Sequence, residues 1–136
     1  MDNDIRLYLL VRSDLPSMNA GKAIAQGSHA ANHALFNLKK SRNQQFKKWL
    51  KEWENQANID GACQGFGTCI SLMCNEEELN GVLDLNRANG MPAGFVIDTT
   101  YPYQFQNQRL FMPAKTAGWI FGPQRDLRTY GLRLYP

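Results

Sequence analysis

Short apolar runs alternate with segments of helical periodicity along this chain of 136 residues. The run Ile5–Arg12, IRLYLLVR, has the length of a buried strand, and residues 68–74 and 93–97 repeat that pattern. Residues 21–35 lie between the first two runs and carry small apolar residues at helical spacing. Strands that alternate with helices predict an α/β fold with helices on both faces of the sheet.

Spacing and caps predict two further helices. Residues 44–57 place large apolar side chains at the i, i+3, i+4 and i+7 positions of one face: Phe46, Trp49, Leu50 and Trp53. The sequence NEEEL, which begins at Asn75, predicts a capping box in which Glu78 reaches back to the cap. That helix is expected to end near Asn89-Gly90, because Pro92 prevents its continuation.

The remaining segments predict connections and short elements. They are a polar connection (37–43), a glycine-containing turn region (58–67), a loop of about a dozen residues without clear period (101–113), a fourth strand (118–121), a short helix (124–129) and a last strand (132–135). With 43% hydrophobic residues the chain has room for one core. We therefore predict a single domain over residues 1–136, a three-layer α/β/α arrangement with a mixed, mostly parallel sheet of four to five strands.

The first helix has two faces of different chemistry. Four polar side chains fall within roughly 60° of one another at 100° per residue: Lys22, Gln26, His29 and His33. The opposite side is expected to pack on the sheet through Ala20, Ala23, Ile24, Gly27, Ala30, Ala31, Ala34 and Leu35. Lys22 lies in the first turn, where the backbone N–H groups and the helix dipole favour negative charge. The first turn of this helix is therefore expected to bind an anionic ligand.

Several chemistries are disfavoured by what the motifs lack. A nucleotide-binding P-loop needs G-x-x-x-x-G-K-[ST], but Pro16 stands at its first glycine and Ala23 replaces its hydroxyl residue. His29 and His33 have i, i+4 spacing that suits zinc, yet no HExxH glutamate or third ligand accompanies them. No serine lies in a G-x-S-x-G context, so an acyl-enzyme nucleophile is not indicated. No metal or organic cofactor is expected.

Charge and cysteine content set limits on partners and compartment. The net charge of +3 permits a nucleic-acid partner without demanding one, and Lys47, Lys48 and Lys51 form either a solvated outer face or an RNA-facing patch. No run approaches the roughly 18 apolar residues of a membrane span, and the N-terminus lacks a signal-peptide pattern. We therefore expect no membrane association and a cytoplasmic location, with the three cysteines present as reduced thiols.

Two segments near the N-terminus carry a family resemblance. The sequences VRSDL and GKAIAQGSHAA resemble the signature of the type II peptidyl-tRNA hydrolases, which is close to VR-T/S-DL…GK-x-AAQ-x-SHAA. The matching positions are Val11, Arg12, Ser13, Asp14, Leu15, Gly21, Lys22, Ala25, Gln26, Ser28, His29, Ala30 and Ala31. The resemblance implies hydrolysis of the ester that joins a peptide to the 3'-terminal ribose of tRNA, with peptidyl-tRNA as the partner. A homodimer is left open.

The resemblance also implies site residues. The family's third strand ends in an active-site aspartate, which corresponds here to Asp98. If the strands are parallel, Asp98 and Lys22 share one end of the sheet, where ligands gather. The family continues DAGRT where this chain has DTTYP, so Pro102 replaces a threonine and Thr99 or Thr100 is left to supply the hydroxyl. The nearest candidate for the family's second threonine is Thr116, one residue out of register.

The sequence thus yields one hypothesis and its alternatives. The predicted catalytic residues are Lys22, Asp98, Thr100 and Thr116, and the predicted substrate-binding residues are Arg12, Gln26, Ser28, His29, Thr99 and Arg125. Asp98 would position or deprotonate a water, while Lys22 would neutralise the oxyanion or hold a phosphate. The DTTYP departure favours a competing hypothesis, a non-catalytic homologue that binds tRNA, another RNA or a protein. A small-molecule-binding module with an α/β fold is the third possibility.

Overall fold

A computed structural model describes residues 4–136 of the chain. The elements, in order, are β1 (Ile5–Arg12), α1 (Ala20–Lys40), α2 (Gln44–Glu54), β2 (Asn58–Ile59), β3 (Ala62–Cys63), β4 (Cys69–Cys74), α3 (Glu76–Ala88), β5 (Ala93–Phe105), β6 (Gln108–Pro123) and a 3-10 turn (Gln124–Asp126). The main sheet has the order β4-β1-β6-β5. β1 and β4 are parallel, and β6 is antiparallel to both of its neighbours. Three strands therefore point one way and β6 the other, which confirms the predicted mixed α/β sheet.

Helices cover both faces of this sheet, as predicted. Helices α1 and α2 pack on one face, where the core contains Leu7, Leu9, Trp53, Trp119 and Phe121 among others. Helix α3 packs on the opposite face against a second cluster that includes Leu10, Leu72, Leu79, Leu83 and Ile120. Because side chains of a strand alternate between faces, neighbouring residues of β1 contribute to different cores. The three-layer arrangement follows from this alternation.

Helix α1 is longer than predicted and turns a different face to the sheet. It continues to Lys40, so the expected connection at 37–43 shrinks to residues 41–43. Its buried residues are Ala23, Gln26, Gly27, Ala30, Ala34 and Leu38. Ile24, predicted to pack, is 73% exposed, whereas Gln26 is only 4% exposed. The packing face is rotated toward Gln26 because that side chain finds hydrogen-bond partners inside the protein, which removes the cost of burying it.

Residues 101–113 form a β-hairpin, so the predicted loop is wrong. β5 continues to Phe105 and β6 starts at Gln108, with Tyr101 paired to Met112 and Phe105 paired to Gln108. The turn residue Gln106 has a positive φ of 54°. Proline has no backbone N–H to donate to a neighbouring strand. Pro102 is tolerated because β5 is an edge strand and has no neighbouring strand on its outer side. The aromatic and proline content hid the two-residue alternation that would otherwise indicate strands.

A β-bulge interrupts β5 next to Asp98. The register passes from the pair Asp98–Ala114 to the pair Tyr101–Met112, so two residues of β5, Thr99 and Thr100, lie opposite one residue of β6. That residue is Pro113, which cannot donate to the ladder, and bulges accommodate such a residue. A bulge bends its strand and redirects side chains. Asp98 is therefore in mid-strand, rather than at the strand end predicted from the sequence.

Most remaining predictions concern short elements. The capping box of α3 is confirmed, with Asn75 and Glu78 bonded reciprocally, and Gly90 follows the helix with a φ of +80°. Residues 58–67 contain the small β2–β3 hairpin. The predicted last strand is reduced to one bridge, between Leu72 and Leu134, and the predicted short helix to the single 3-10 turn. Of the three cysteines, Cys63 and Cys69 are exposed and Cys74 is buried. Within residues 4–136 no helix is long and apolar enough to cross a membrane.

Candidate active site

The candidate site lies at one end of the main sheet, which we call the rim. It is formed by the carboxyl end of β1, the loop 13–19, the first turns of α1 and the bulge at Asp98. Because β1 and β5 both run antiparallel to β6, they point the same way and bring Lys22 and Asp98 to the same end of the sheet. The sequence-based argument for a shared rim thus survives, although the two strands are not neighbours.

Gln26 connects Asp98 to Thr116 through its amide group. Its Nε2 donates to Asp98 Oδ2 at 2.7 Å, and its Oε1 accepts from Thr116 Oγ1 at 2.5 Å. Gln26 is 4% exposed and Thr116 is fully buried. One side chain from α1, one from β5 and one from β6 are therefore joined in a single chain of hydrogen bonds. Gly27 of the same helix faces Leu9 and Val11 of β1.

This chain of hydrogen bonds fixes the direction of each donor. A carboxylate only accepts, so the amide of Gln26 must turn its nitrogen to Asp98 and its oxygen to Thr116. The hydroxyl hydrogen of Thr116 is consequently committed to Gln26 and is not free to donate to a substrate. Thr116, predicted as a catalytic residue, is placed by the structure behind Asp98, where it orients Gln26.

The bulge supplies Asp98 with further hydrogen bonds. The backbone N–H of Thr100 donates to Asp98 Oδ1 at 3.0 Å, and the Thr100 hydroxyl lies 3.4 Å from the same oxygen. Thr99 is exposed beside it. Thr100 thus places a hydroxyl beside the aspartate, two residues after it, whereas Pro102 has none.

The surroundings of Asp98 keep it ionised. Burial by itself raises its pKa, but hydrogen bonds from the Gln26 side chain and the Thr100 backbone, together with the charge of His29, outweigh burial and lower the pKa below its ordinary value. A carboxylate with a lowered pKa is a weak base. It remains able to accept a hydrogen bond from water or to attract a positive group.

Lys22 is held at the start of α1 by a backbone contact. Its Nζ donates to the carbonyl oxygen of Ser17 at 2.8 Å, and the Ser17 hydroxyl donates to the carbonyl of Pro102 at 2.6 Å. The loop before α1 is thereby attached to the base of the hairpin. An ammonium group has more N–H donors than this contact uses. Since the helix dipole already makes this end positive, a lysine here costs stability unless an anion binds.

The other predicted residues are placed less centrally. His29 is exposed on α1 near Asp98, while the Ser28 hydroxyl donates to the carbonyl of Ile24 in its own helix at 3.0 Å. Arg12 lies at the rim, but its guanidinium is engaged by Asp14, by Glu76 and by the carbonyl of Lys115. Arg125 follows β6 at the opposite end of the sheet, where Pro123 pairs with Ile5.

Some contributors had no signal in the sequence. The role of Ser17 depends on its carbonyl and on the position of the hairpin, neither of which a side-chain pattern reveals. His33, placed with Lys22 on the polar face, accepts instead from Trp119 Nε1 at 2.9 Å and lies farther along α1. Burial, with the nearby Glu78 and Asp14 charges, raises the pKa of the Cys74 thiol to about 12, so it is a poor nucleophile. Residues 4–136 contain no group of three His, Cys, Asp or Glu side chains suited to a metal ion.

Several peptidyl-tRNA hydrolases are similar in sequence to this chain. A peptidyl-tRNA hydrolase of Aeropyrum pernix is 32% identical over 90 residues, which are 66% of this chain and 65% of that protein's length. A peptidyl-tRNA hydrolase of Methanocaldococcus jannaschii is 22% identical over 122 residues, covering 90% and 89% of the two chains. One from Saccharolobus islandicus is 38% identical over 52 residues, 38% of this chain and 42% of that protein.

A family model extends over a larger part of the chain. The model described as "Peptidyl-tRNA hydrolase PTH2" matches residues 5–107, a span that includes Lys22, Gln26 and Asp98 and ends at the tip of the β5–β6 hairpin. Thr116 lies beyond the matched residues, so its place beside Gln26 is known from the geometry alone. The chain belongs to the PTH2 family of peptidyl-tRNA hydrolases.

Proposed function

We propose that this protein hydrolyses the ester between a peptide, or an N-blocked amino acid, and the 3'-terminal ribose of tRNA. The observation that carries the proposal is the Asp98–Gln26–Thr116 chain, which holds an ionised carboxylate at the rim. Lys22 supplies the opposite charge at the same rim. A negative group to hold water and a positive group to stabilise an oxyanion are the two requirements for hydrolysing an activated ester.

In the proposed reaction Asp98 orients the attacking water. Its lowered pKa makes it a weak acceptor of a full proton, so its main contribution is to align the water and to stabilise positive charge that develops on it. The water oxygen bonds to the ester carbonyl carbon, the bond from that carbon to the ribose oxygen breaks, and the ribose oxygen takes up a proton from the water. Thr116 and Gln26 keep the carboxylate fixed throughout.

Lys22 stabilises the carbonyl oxygen as it becomes negative. The Nζ contact to Ser17 holds the ammonium near the amides of the first turn of α1, where the helix dipole adds to its charge. Asn19 accepts from the Lys22 amide at 2.9 Å, which leaves the other first-turn amides available. His29 is exposed on α1 near Asp98, and we assign it to contacts with the substrate.

Cationic residues on α2 are proposed to bind the tRNA backbone. Lys47, Lys48 and Lys51 are exposed on the outer side of α2, opposite its buried Leu50 and Trp53. Arg125, although remote from Asp98, lines the same cleft as Lys48 and so extends this cationic surface. Arginine and lysine contacts to phosphates position a nucleic acid without reading its sequence. Arg12 is not assigned to this surface, because Asp14 and Glu76 engage it.

A turnover assay tests the proposal. The purified protein should release N-acetyl-amino acid from N-acetyl-aminoacyl-tRNA, should leave free-amine aminoacyl-tRNA intact, and should be insensitive to EDTA. A folded sample without release at high enzyme concentration would reject the catalytic function. Retained tRNA binding in that sample would favour the non-catalytic homologue, and loss of both would favour the small-molecule module.

A further inference from the structure

The outer edge of β5 is an open sheet edge beside the candidate site. β5 is the last strand of the sheet, with β6 on its inner side only. The Arg87 guanidinium donates to the carbonyl oxygen of Ala93 at 3.2 and 3.3 Å, so the backbone of Ala93 points away from β6. Backbone groups in an antiparallel ladder alternate in direction, and the N–H and C=O of Phe95 therefore point outward as well.

Between the Arg87 contact at Ala93 and the bulge that follows Asp98, this edge carries few of the features that normally protect an edge strand. Residues 93–97, AGFVI, contain neither a charge nor a proline, and Phe95 and Ile97 are 38% and 45% exposed. The opposite edge of the sheet is treated differently. There the C-terminal residues cover β4. The Met73 N–H donates to the carbonyl oxygen of Arg133, and the Tyr135 N–H donates to the carbonyl oxygen of Ser71. One edge is closed by the chain itself, and the other is left available.

A cavity of about 750 Å³ adjoins the start of the open edge. Its walls come from the second half of α1, the start of α2, the α3–β5 connection and residues 93–95 of β5. The indole of Trp119 lies against β5 because residue 94 is glycine, where a Cβ would come within 2.8 Å of Trp119 Nε1. Asn37 and Asn43 add polar groups. The volume is within the range of sites that bind small organic groups or short peptides.

The open edge leads directly to the reactive carboxylate. Asp98 follows Ile97 in the same strand, and at about 3.3 Å per residue the edge between Ala93 and Asp98 is roughly 17 Å long. We infer that the peptide part of the substrate binds along this edge as an added strand, with its C-terminal ester at Asp98 and its upstream residues in the cavity. This inference rests on the proposed function. With its C-terminus at Asp98, the peptide runs parallel to β5.

Backbone pairing suits the chemistry of the substrate. A peptidyl-tRNA carries a peptide of variable sequence, so contacts to the peptide backbone recognise it where side-chain pockets cannot. In parallel pairing, the outward N–H and C=O of Phe95 bond to the residues on either side of the one opposite it. The backbone N–H of every second peptide residue therefore donates to β5, and the N–H groups of the residues between them point away from β5.

Substrate length and N-methylation test the added strand. On wild-type protein, kcat/KM should rise at least tenfold from N-acetyl-aminoacyl-tRNA to tetrapeptidyl- or pentapeptidyl-tRNA and should then level off. A single N-methyl group moved along the pentapeptide should lower kcat/KM about tenfold at alternate positions only. Equal kcat/KM for all lengths, with normal turnover of the N-acetyl substrate, would overturn the inference and leave the proposed function standing. Loss at consecutive positions or at none would also overturn it.

A binding measurement tests the edge without turnover. The probe is N-acetyl-tetraalanine joined by a stable amide to 3'-amino-3'-deoxyadenosine. Saturating probe should slow hydrogen exchange at the Phe95 amide, and the Met73 amide on the covered edge of β4 is the matched control that should not change. Unaltered exchange at Phe95 would reject the added strand even if the protein hydrolyses its substrate. If hydrogen exchange at the Phe95 amide slows without probe as the protein concentration rises, the edge binds a second copy of the chain instead.

Discussion

Two aspartates near the rim are both held ionised, but by different means. Arg12 donates to both oxygens of Asp14, at 2.9 and 3.1 Å, and this hydrogen-bonded ion pair is the main cause that lowers the pKa of Asp14. Asp98 has no arginine. Burial would raise its pKa, and the neutral amide of Gln26, the Thr100 N–H and the charge of His29 lower it instead.

The difference separates a carboxylate whose charge is paired within the protein from one whose charge is not. Asp14 is neutralised within the protein and also accepts from the first amide of α3, Glu76 N–H, at 3.3 Å. Its charge is used to join the loop after β1 to α3. Asp98 is held mainly by dipoles, which fix its position and leave most of its negative charge uncompensated. We expect substitutions at the two aspartates to affect different properties.

The largest effect is expected for Asp98→Asn. The asparagine keeps the shape, but its single oxygen can accept from Gln26 or from the Thr100 N–H and not from both, and it lacks the charge that we propose orients water. We expect kcat to fall by about 10² to 10⁴, the range typical of a residue that acts on the attacking group. Binding of tRNA, which depends mainly on phosphate contacts, should hold steady or tighten slightly. Steady-state kinetics and tRNA titration measure the two quantities.

The control for this experiment is Asp84→Asn, a similar change at an exposed position of α3 that should leave kcat unchanged. Near-normal turnover of Asp98→Asn would show that Asp98 is only a bulge residue, and the contrast with Asp14 would lose its meaning.

Lys22→Ala should have the next largest effect. Loss of one charged contact to the developing oxyanion should lower kcat/KM by about 10²-fold. The melting temperature should hardly change, because the hydrogen bond of the side chain within residues 4–136 is the one to the Ser17 carbonyl and its charge opposes the helix dipole. Arg109→Ala, which removes an exposed cation of the β5–β6 hairpin, is the control. Unchanged kinetics would assign Lys22 to the solvated surface.

Removing the support of Asp98 should cost less activity but more stability. Gln26→Leu leaves the Thr116 hydroxyl buried without a partner, which costs about 1–3 kcal/mol of unfolding free energy. We expect kcat to fall about tenfold. The acid limb of the kcat/KM profile should also move to higher pH, since the loss of the Gln26 hydrogen bond raises the pKa of Asp98.

Thr116→Val separates the two links of this chain. It removes the hydroxyl but leaves the Gln26 donation to Asp98 in place, so the acid limb should shift less than in Gln26→Leu. Equal shifts in both variants would mean that Gln26 donates to Asp98 only while the threonine hydroxyl holds its amide in place.

Asp14→Asn should have the smallest effect, limited to stability. The ion pair with Arg12 is partly exposed, so its loss should lower the unfolding free energy by less than about 1 kcal/mol at pH 7. Because the pKa of Asp14 is lowered in the folded state, its contribution is present above the unfolded pKa of about 3.9 and disappears as the pH falls through the folded value. Denaturation of both proteins at pH 7 and at pH 2 to 3 should show the difference vanish in acid.

The fold was most predictable where local chemistry decides the structure. The bounds of β1, the capping box at Asn75 and the glycine stop at Gly90 depend on neighbouring residues, and all three agree with the sequence. The hairpin at 101–113 depends on pairing between β5 and β6 and on Pro113 falling opposite a bulge. Single-sequence periodicity does not contain that information.

The candidate site was likewise predictable in part, and the contacts between residues distant in sequence were not. Lys22 and Asp98 were identified from a family resemblance and from the rule that ligands gather at strand ends, and the structure brings them to one rim. Gln26 was expected to orient the substrate, but its partners are Asp98 and Thr116, far away in sequence. A helical wheel cannot distinguish a polar residue that faces solvent from one whose partners lie inside the protein. Arg12 illustrates the converse, an apparent binding residue already engaged within the protein.

The β5–β6 hairpin has a practical consequence for biophysical work. Its tip, at Gln106 and Asn107, projects roughly 25–30 Å from Asp98 along the same two strands, at about 3.3 Å per residue. A dye or a surface tether attached at Asn107 would be remote from the rim and from the cationic surface of α2. The hairpin is thus a suitable handle for immobilising single molecules or for distance measurements, with both Asp98 and the cationic surface of α2 left free.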